Sequence, residues 1–171
     1  MSIRLQQLLF LFLILCFSME TSAQSSAIKT GPVGYAFGFV GICYEKVLSD
    51  HGSFQATLNP YNKVKDYDGT SYGASLEYRL YITNKEVLNG FYISPNIGFT
   101  LGNLTEQDTT VERNANAFHL VGKLGYQWIW TNNILVDLSL GPKFSFGQDD
   151  SIAPEFDGTH PDVNFAIGYI F

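Results

Sequence analysis

The feature that most constrains this chain is a strict two-residue alternation that recurs along most of its length. In "SYGASLEYRLYI", residues 71–82, the even positions are Tyr72, Ala74, Leu76, Tyr78, Leu80 and Ile82, and the odd ones are Ser71, Gly73, Ser75, Glu77, Arg79 and Tyr81. Successive side chains of a β-strand point to opposite faces, so this run has one apolar face and one face of small and charged groups. The pattern occupies seven segments: Tyr35 to Lys46, Ser53 to Tyr61, Ser71 to Ile82, Phe91 to Leu101, Ala117 to Trp130, Ile134 to Phe146 and Asp162 to Phe171. Stretches rich in Asn, Asp, Gly and Ser separate them, which is turn chemistry. No helical periodicity follows the N-terminal segment, so the class is all-β.

That N-terminal segment has its own logic. Arg4 precedes an apolar run from Leu8 to Phe17, followed by Thr21-Ser22-Ala23, the arrangement of a secretory signal peptide cut after Ala23. About ten apolar residues at ~1.5 Å each fall short of the ~30 Å needed to cross a bilayer core as a helix. Cys16 follows Leu15, where lipid attachment calls for a small residue. The expected organisation is therefore a signal peptide over 1–23 and one domain over 24–171. Cys43 is the sole thiol of that domain, so it offers no intramolecular disulfide. With no Cys-His signature around it, Cys43 reads as a small buried strand residue rather than a nucleophile.

The connections alternate in length. "VLSDHGS" (47–53), "TNKEVLNG" (83–90) and "TNN" (131–133) are short, while "NKVKDYDGT" (62–70), "NLTEQDTTVERNAN" (103–116) and "GQDDSIAPEFDGTH" (147–160) are long. An up-and-down meander with this alternation places all its long loops at one end, as outer-membrane barrels do. Such barrels use an even number of strands. An eighth strand is therefore expected in "SSAIKTG" (25–31), turned back by "GPVG" (31–34). The predicted fold is an eight-stranded antiparallel up-and-down transmembrane β-barrel.

A soluble β-sandwich also alternates along its strands, with the apolar row packed inward. The row opposite the apolar one decides between them. It reads Ser71, Gly73, Ser75; Ser94, Asn96, Gly98, Thr100; Ser139, Gly141, Ser145; and Asn164, Ala166, Gly168, small residues that suit a narrow lumen rather than a surface in water. The apolar row then faces lipid. Tyr126, Trp128, Trp130, Tyr169 and Phe171 gather at the short-turn end as an aromatic girdle. Pro95 and Pro142 fall inside strands of a barrel with no free edge, so each is expected at a local bulge.

The formal charge of −6 survives signal removal, because Arg4 and Glu20 leave together. Inward positions hold Glu45, Glu77 and Asp137 against Arg79, Lys123 and Lys143. A balanced set of this kind, with Gln55, Asn59 and Gln127 around it, reads as a hydrogen-bonded plug, since buried charges must pair. A narrow ion path is the alternative. His119 faces inward as a further plug member, with no second ligand at metal spacing. The loop 62–70 balances its charges, the loop 103–116 carries −2, and the loop 147–160 carries −4 through Asp149, Asp150, Glu155 and Asp157. The acidic loop is expected to attract a cation or a basic surface partner, although its spacing is not that of an EF-hand. No hydrolase constellation, phosphate-binding loop or basic nucleic-acid surface is present in the sequence, so no enzyme activity, cofactor, metal or nucleic acid is expected. A soluble exported barrel carrying a small apolar ligand is the competing class.

The strand end "GICYEKVLSD" (41–50), with its Tyr44-Glu45-Lys46 turn entry, and the terminal "NFAIGYIF" (164–171) resemble the small outer-membrane β-barrel proteins of Gram-negative bacteria, notably a Bacteroidota-type group of uncharacterised function. The size is similar to that of OmpX and OmpA barrel domains. The resemblance implies a bacterial outer-membrane location, outer-membrane lipid as surroundings and a monomeric barrel. It also implies assembly by the barrel-assembly machinery, which reads a C-terminal alternation ending in an aromatic such as Phe171.

Overall fold

The computed structural model describes residues 26–32, 41–64, 67–82, 88–106, 112–114, 116–130, 133–147 and 158–171. The strands among them are β1 (Ser26–Thr30), β2 (Ile42–Ser49), β3 (Gly52–Val64), β4 (Tyr67–Tyr81), β5 (Gly90–Glu106), β6 (Glu112–Asn114), β7 (Ala117–Ile129), β8 (Ile134–Gly147) and β9 (Gly158–Ile170). All neighbours pair antiparallel, and the β1–β9 and β4–β5 pairings close the sheet on itself. β6 pairs with the far end of β5 in the register that β7 continues, so β6 and β7 are two pieces of one stave. The result is an eight-stranded antiparallel closed barrel, all-β as expected, and the first strand lies in the segment predicted for it.

The register gives the barrel's shape. One outward row runs Ile28, Tyr44, Ala56, Leu76, Ile97, Leu120, Phe144, Thr159 around the wall. Ile28 itself sits opposite Tyr169 on β9, so one circuit returns displaced by 169 minus 159, or ten residues. Ten residues at ~3.3 Å over eight strands spaced ~4.8 Å apart tilt the strands by about 41° and set a backbone radius of about 8 Å. A barrel this narrow has room for side chains and at most one small ligand.

The alternation sorts the two faces as predicted. Tyr72, Leu76, Tyr78, Leu80, Phe91, Ile93, Ile97, Phe99, Leu124, Leu140 and Phe144 are exposed outside. Ser71, Glu77, Arg79, Ser94, Asn96, Thr100, Ser139 and Ser145 are buried inside. Polar groups thus form the interior and hydrocarbon the exterior, the inverse of a soluble core.

Three connections differ from expectation. "NKVKDYDGT" is not a long loop: β3 and β4 stay paired out to Val64 and Tyr67. β5 likewise continues to Glu106 and pairs with β6, so much of 103–116 is hairpin. β9 starts at Gly158 rather than Asp162, which puts His160 in a strand opposite Lys143 instead of in a loop. Asn, Asp and Gly read as turn formers locally, but ladder hydrogen bonds to an existing neighbour override that preference. The remainder of the acidic loop, including Asp149, Asp150, Glu155 and Asp157, lies outside the described residues, as do residues 1–25.

The two prolines are accommodated without bulges. Across Pro142 the β7–β8 register is the same on both sides, Val121↔Lys143 and then Leu124↔Leu140, with the intervening pairs missing. The β4–β5 ladder skips the partners of Ser94 and Pro95 in the same way, between Glu77↔Asn96 and Leu80↔Ile93. A proline lacks only its N–H donor, and here each ladder loses pairs locally rather than gaining a residue.

Candidate functional site

Among the described residues, reactive and charged side chains concentrate in the lumen. β1 points Lys29 inward, β2 Glu45, β4 Glu77 and Arg79, and β8 Asp137, all at or below 1% exposure. Lys29 Nζ donates to Glu45 Oε2 at 2.6 Å and to Asp137 Oδ2 at 3.0 Å. Arg79 donates from Nε to Glu77 Oε1 at 2.6 Å and from Nη1 to Asp137 Oδ2 at 2.6 Å. Gln127 Oε1 accepts from both cations, at 2.7 Å from Arg79 and 3.3 Å from Lys29.

Neutral donors complete the carboxylates. Tyr81 donates to Glu45 at 2.9 Å and Tyr92 to Asp137 at 2.7 Å, and Ser53 also donates to Glu45. Ser94 and Asn96 donate to Glu77 at 3.1 and 3.2 Å. The Tyr92 ring lies against the Arg79 guanidinium, 4.3 Å from its centroid. Charge-assisted hydrogen bonds of this length are the strong class, and each buried carboxylate is satisfied by several.

Lys123 is a second tier. Its Nζ is 3.3 Å from Glu77 Oε2 and 3.2 Å from Asp162 Oδ2. His119 stands apart, held between Thr100 at 2.9 Å and Ser145 at 3.1 Å, and Lys143 lines the cavity above the cluster with it. The structure therefore unites Glu45, Glu77, Arg79, Asp137 and Lys123, and places His119 and Lys143 higher in the lumen. Gln127 belongs to the cluster, whereas Gln55 and Asn59 line the cavity.

Sequence reasoning missed Lys29, Asp162, Tyr81 and Tyr92 as partners. The signal for Lys29 was available: once "SSAIKTG" is a strand, outward Ile28 forces Lys29 inward. Asp162 likewise shares parity with inward Asn164. The added pair leaves the balance intact, with Lys29, Arg79, Lys123 and Lys143 against Glu45, Glu77, Asp137 and Asp162 lining the lumen.

Below the cluster, at the short-turn end, Ala27, Leu88, Leu135 and Ile170 form a buried apolar group, with Val47 and Ile129 packed against it. Leu88 reaches it from the β4–β5 turn with φ of 73°, a conformation costly for a side chain of this kind. The aromatic residues expected to form a girdle lie around the same end. Trp130, Tyr169 and Phe171 are exposed, and Tyr126 and Trp128 are half-buried. Tyr126 packs edge-on against Phe91 at 4.6 Å and lies 5.7 Å from Trp128. Among the described residues, no group of three or more His, Cys, Asp or Glu side chains is placed to hold a metal ion.

The fold and lumen define a class: a narrow closed barrel with an apolar exterior and a charge-compensated interior. Within it, the chain belongs to the DUF3575 family, proteins of unknown function, whose family model matches residues 8–162. Its fold is similar to the N-terminal β-barrel domain of Pseudomonas aeruginosa OprF, with a TM-score of 0.54 at 15% identity over 88% of this chain and 100% of that one. No curated protein matches the chain.

Proposed function

We propose that this chain is a non-enzymatic outer-membrane barrel, exported by a cleaved signal peptide, whose lumen is closed by its own side chains and whose work is structural or done at its surfaces. The observation that carries this reading is the pairing of an apolar exterior with a buried ion cluster. Soluble monomers rarely expose contiguous apolar patches beyond a few hundred Å², whereas Ile93, Ile97, Leu120, Leu124, Leu140 and Phe144 are adjacent and exposed on three neighbouring staves. In a bilayer that same surface needs no further partner, and the closed sheet satisfies the backbone.

The interior supports the closed-lumen reading over a conducting one. An ion crossing the Lys29–Glu45–Arg79–Asp137 layer would have to separate pairs at 2.6 to 3.0 Å and then pass the Leu88–Leu135–Ile170 group. A carrier of apolar ligands is disfavoured by the charged and amide side chains buried in the lumen, among them Lys29, Glu45, Arg79, Asp137 and Gln127. The acidic loop with Asp149, Asp150, Glu155 and Asp157 remains the proposed contact surface for a cation or basic partner, through a field screened beyond ~8 Å at physiological ionic strength.

Cell fractionation tests the placement. The protein is expected to stay with the outer membrane through a carbonate wash and to migrate differently on SDS gels before and after heating. Recovery in the soluble periplasmic fraction would overturn it.

A further inference from the structure

The lumen is filled only in its lower half. Above the ion cluster lies a cavity of about 610 Å³, on the side away from the short turns, lined by inward side chains of several staves. The space exists because inward positions there carry small residues. On β4 and β5 these are Gly73, Ser75 and Gly98, where the lower half has Glu77, Arg79 and Tyr92. A methyl group at Gly98 would press on Ser75 Cβ at 2.9 Å.

Its wall mixes glycine and apolar carbon with amide and hydroxyl groups, the latter from Gln55, Thr57, Asn59, Asn96 and Asn164. Gln55 is 4% exposed, and its Oε1 is a buried acceptor with no hydrogen-bond partner, although its Nε2 donates to Thr57 at 3.2 Å. An unpaired buried acceptor is costly and calls for a donor. Lys123 at the cavity floor is already matched with Glu77 and Asp162, so a charged solute that engaged it would have to disrupt a buried pair, which is strongly unfavourable. A neutral donor-rich solute need not.

We infer that this cup is a binding site for a small neutral hydroxyl-rich solute, of monosaccharide to disaccharide size, held through the amide side chains of Gln55, Asn59 and Asn96. The volume falls within the ~300 to 1,000 Å³ of ordinary ligand sites. The cup is present whether or not the lower lumen conducts, and its test takes the membrane placement proposed above.

Cys43 is a built-in reporter, since it lines the cup and is hydrogen-bonded by Thr57 at 3.4 Å. The exported protein, purified from membranes in detergent, is treated with N-ethylmaleimide, and modification of the Cys43 peptide is followed by mass spectrometry. With glucose or maltose at ~50 mM, a site of ~10 mM dissociation constant predicts modification slowed about sixfold. Gluconate and glucosamine at the same concentration are expected to leave the rate unchanged. Gln55→Leu should abolish the protection while keeping the folded mobility on unheated gels. The wild-type contrast between neutral and charged solutes decides the matter even if that variant fails to assemble. Equal slowing by all solutes, no slowing by either sugar, or a Cys43 that never reacts would each overturn the inference.

Discussion

Arg79 is the residue on which the lower lumen turns. Fully buried, it contacts Glu77 and Asp137 at 2.6 Å and Gln127 at 2.7 Å, and lies 3.6 Å from Glu45. Arg79→Met would leave three carboxylates facing Lys29 and Lys123 alone. Removing one partner of a buried ion set costs about 3–5 kcal/mol, so urea unfolding of the barrel in vesicles should show a loss of that order. A loss near zero would mean that water reaches the cluster and screens it. The inward direction of Glu45, Glu77, Arg79 and Asp137 was legible from parity alone. Which cation meets which carboxylate was not, because that depends on stagger between strands far apart in sequence, such as Lys29 and Asp137. Lys29 was less legible because the five residues of β1 offer too short an alternation to fix by themselves which side chains point inward.

The elements followed the sequence wherever alternation was long, as in β4, β5, β7 and β8, and departed from it at strand ends. Residues 63, 64, 67 and 68 fall in a stretch read as a loop yet pair across the β3–β4 ladder, past a register shift at Asn62, since pairing with a neighbour already in place outweighs local preference. The stretch around Pro142 offers a sharper test of element geometry. A Cβ added at Gly122 meets nothing within 4 Å, whereas one at Gly141 would run into the carbonyl of Gly122. Gly122→Ala should therefore stay within about 0.5 kcal/mol of wild type, and Gly141→Ala should cost about 1–3 kcal/mol, both read from denaturant midpoints at constant slope. Comparable effects at the two positions would contradict the close approach of β7 and β8. Leu124, outward and 51% exposed, stands between Ile93 and Leu140. Leu124→Arg there should lower stability by about 2–4 kcal/mol or block assembly, the cost of a cation near the bilayer midplane. An unchanged midpoint would place that face in water.

Across the whole molecule, charge and hydrocarbon are segregated by the circuit of the sheet. Among the described residues the lumen is charge-balanced and the outer face nearly uncharged, and the excess of the −6 total falls on the segments 103–116 and 147–160. Neutralising Asp149, Asp150, Glu155 and Asp157 to Asn or Gln is expected to alter salt-sensitive cation or partner binding while leaving heat-modifiable gel mobility unchanged. A change in folding instead would make that loop part of the barrel's support. The central claim is that the wall faces lipid while the interior is shut by its own ion cluster and apolar floor. Planar-bilayer recording tests it most directly, with insertion of the same preparation verified by its unheated gel mobility after reconstitution. The account predicts an inserted protein that stays electrically silent in wild type. Steady, ion-selective conductance from the inserted wild-type barrel would contradict it.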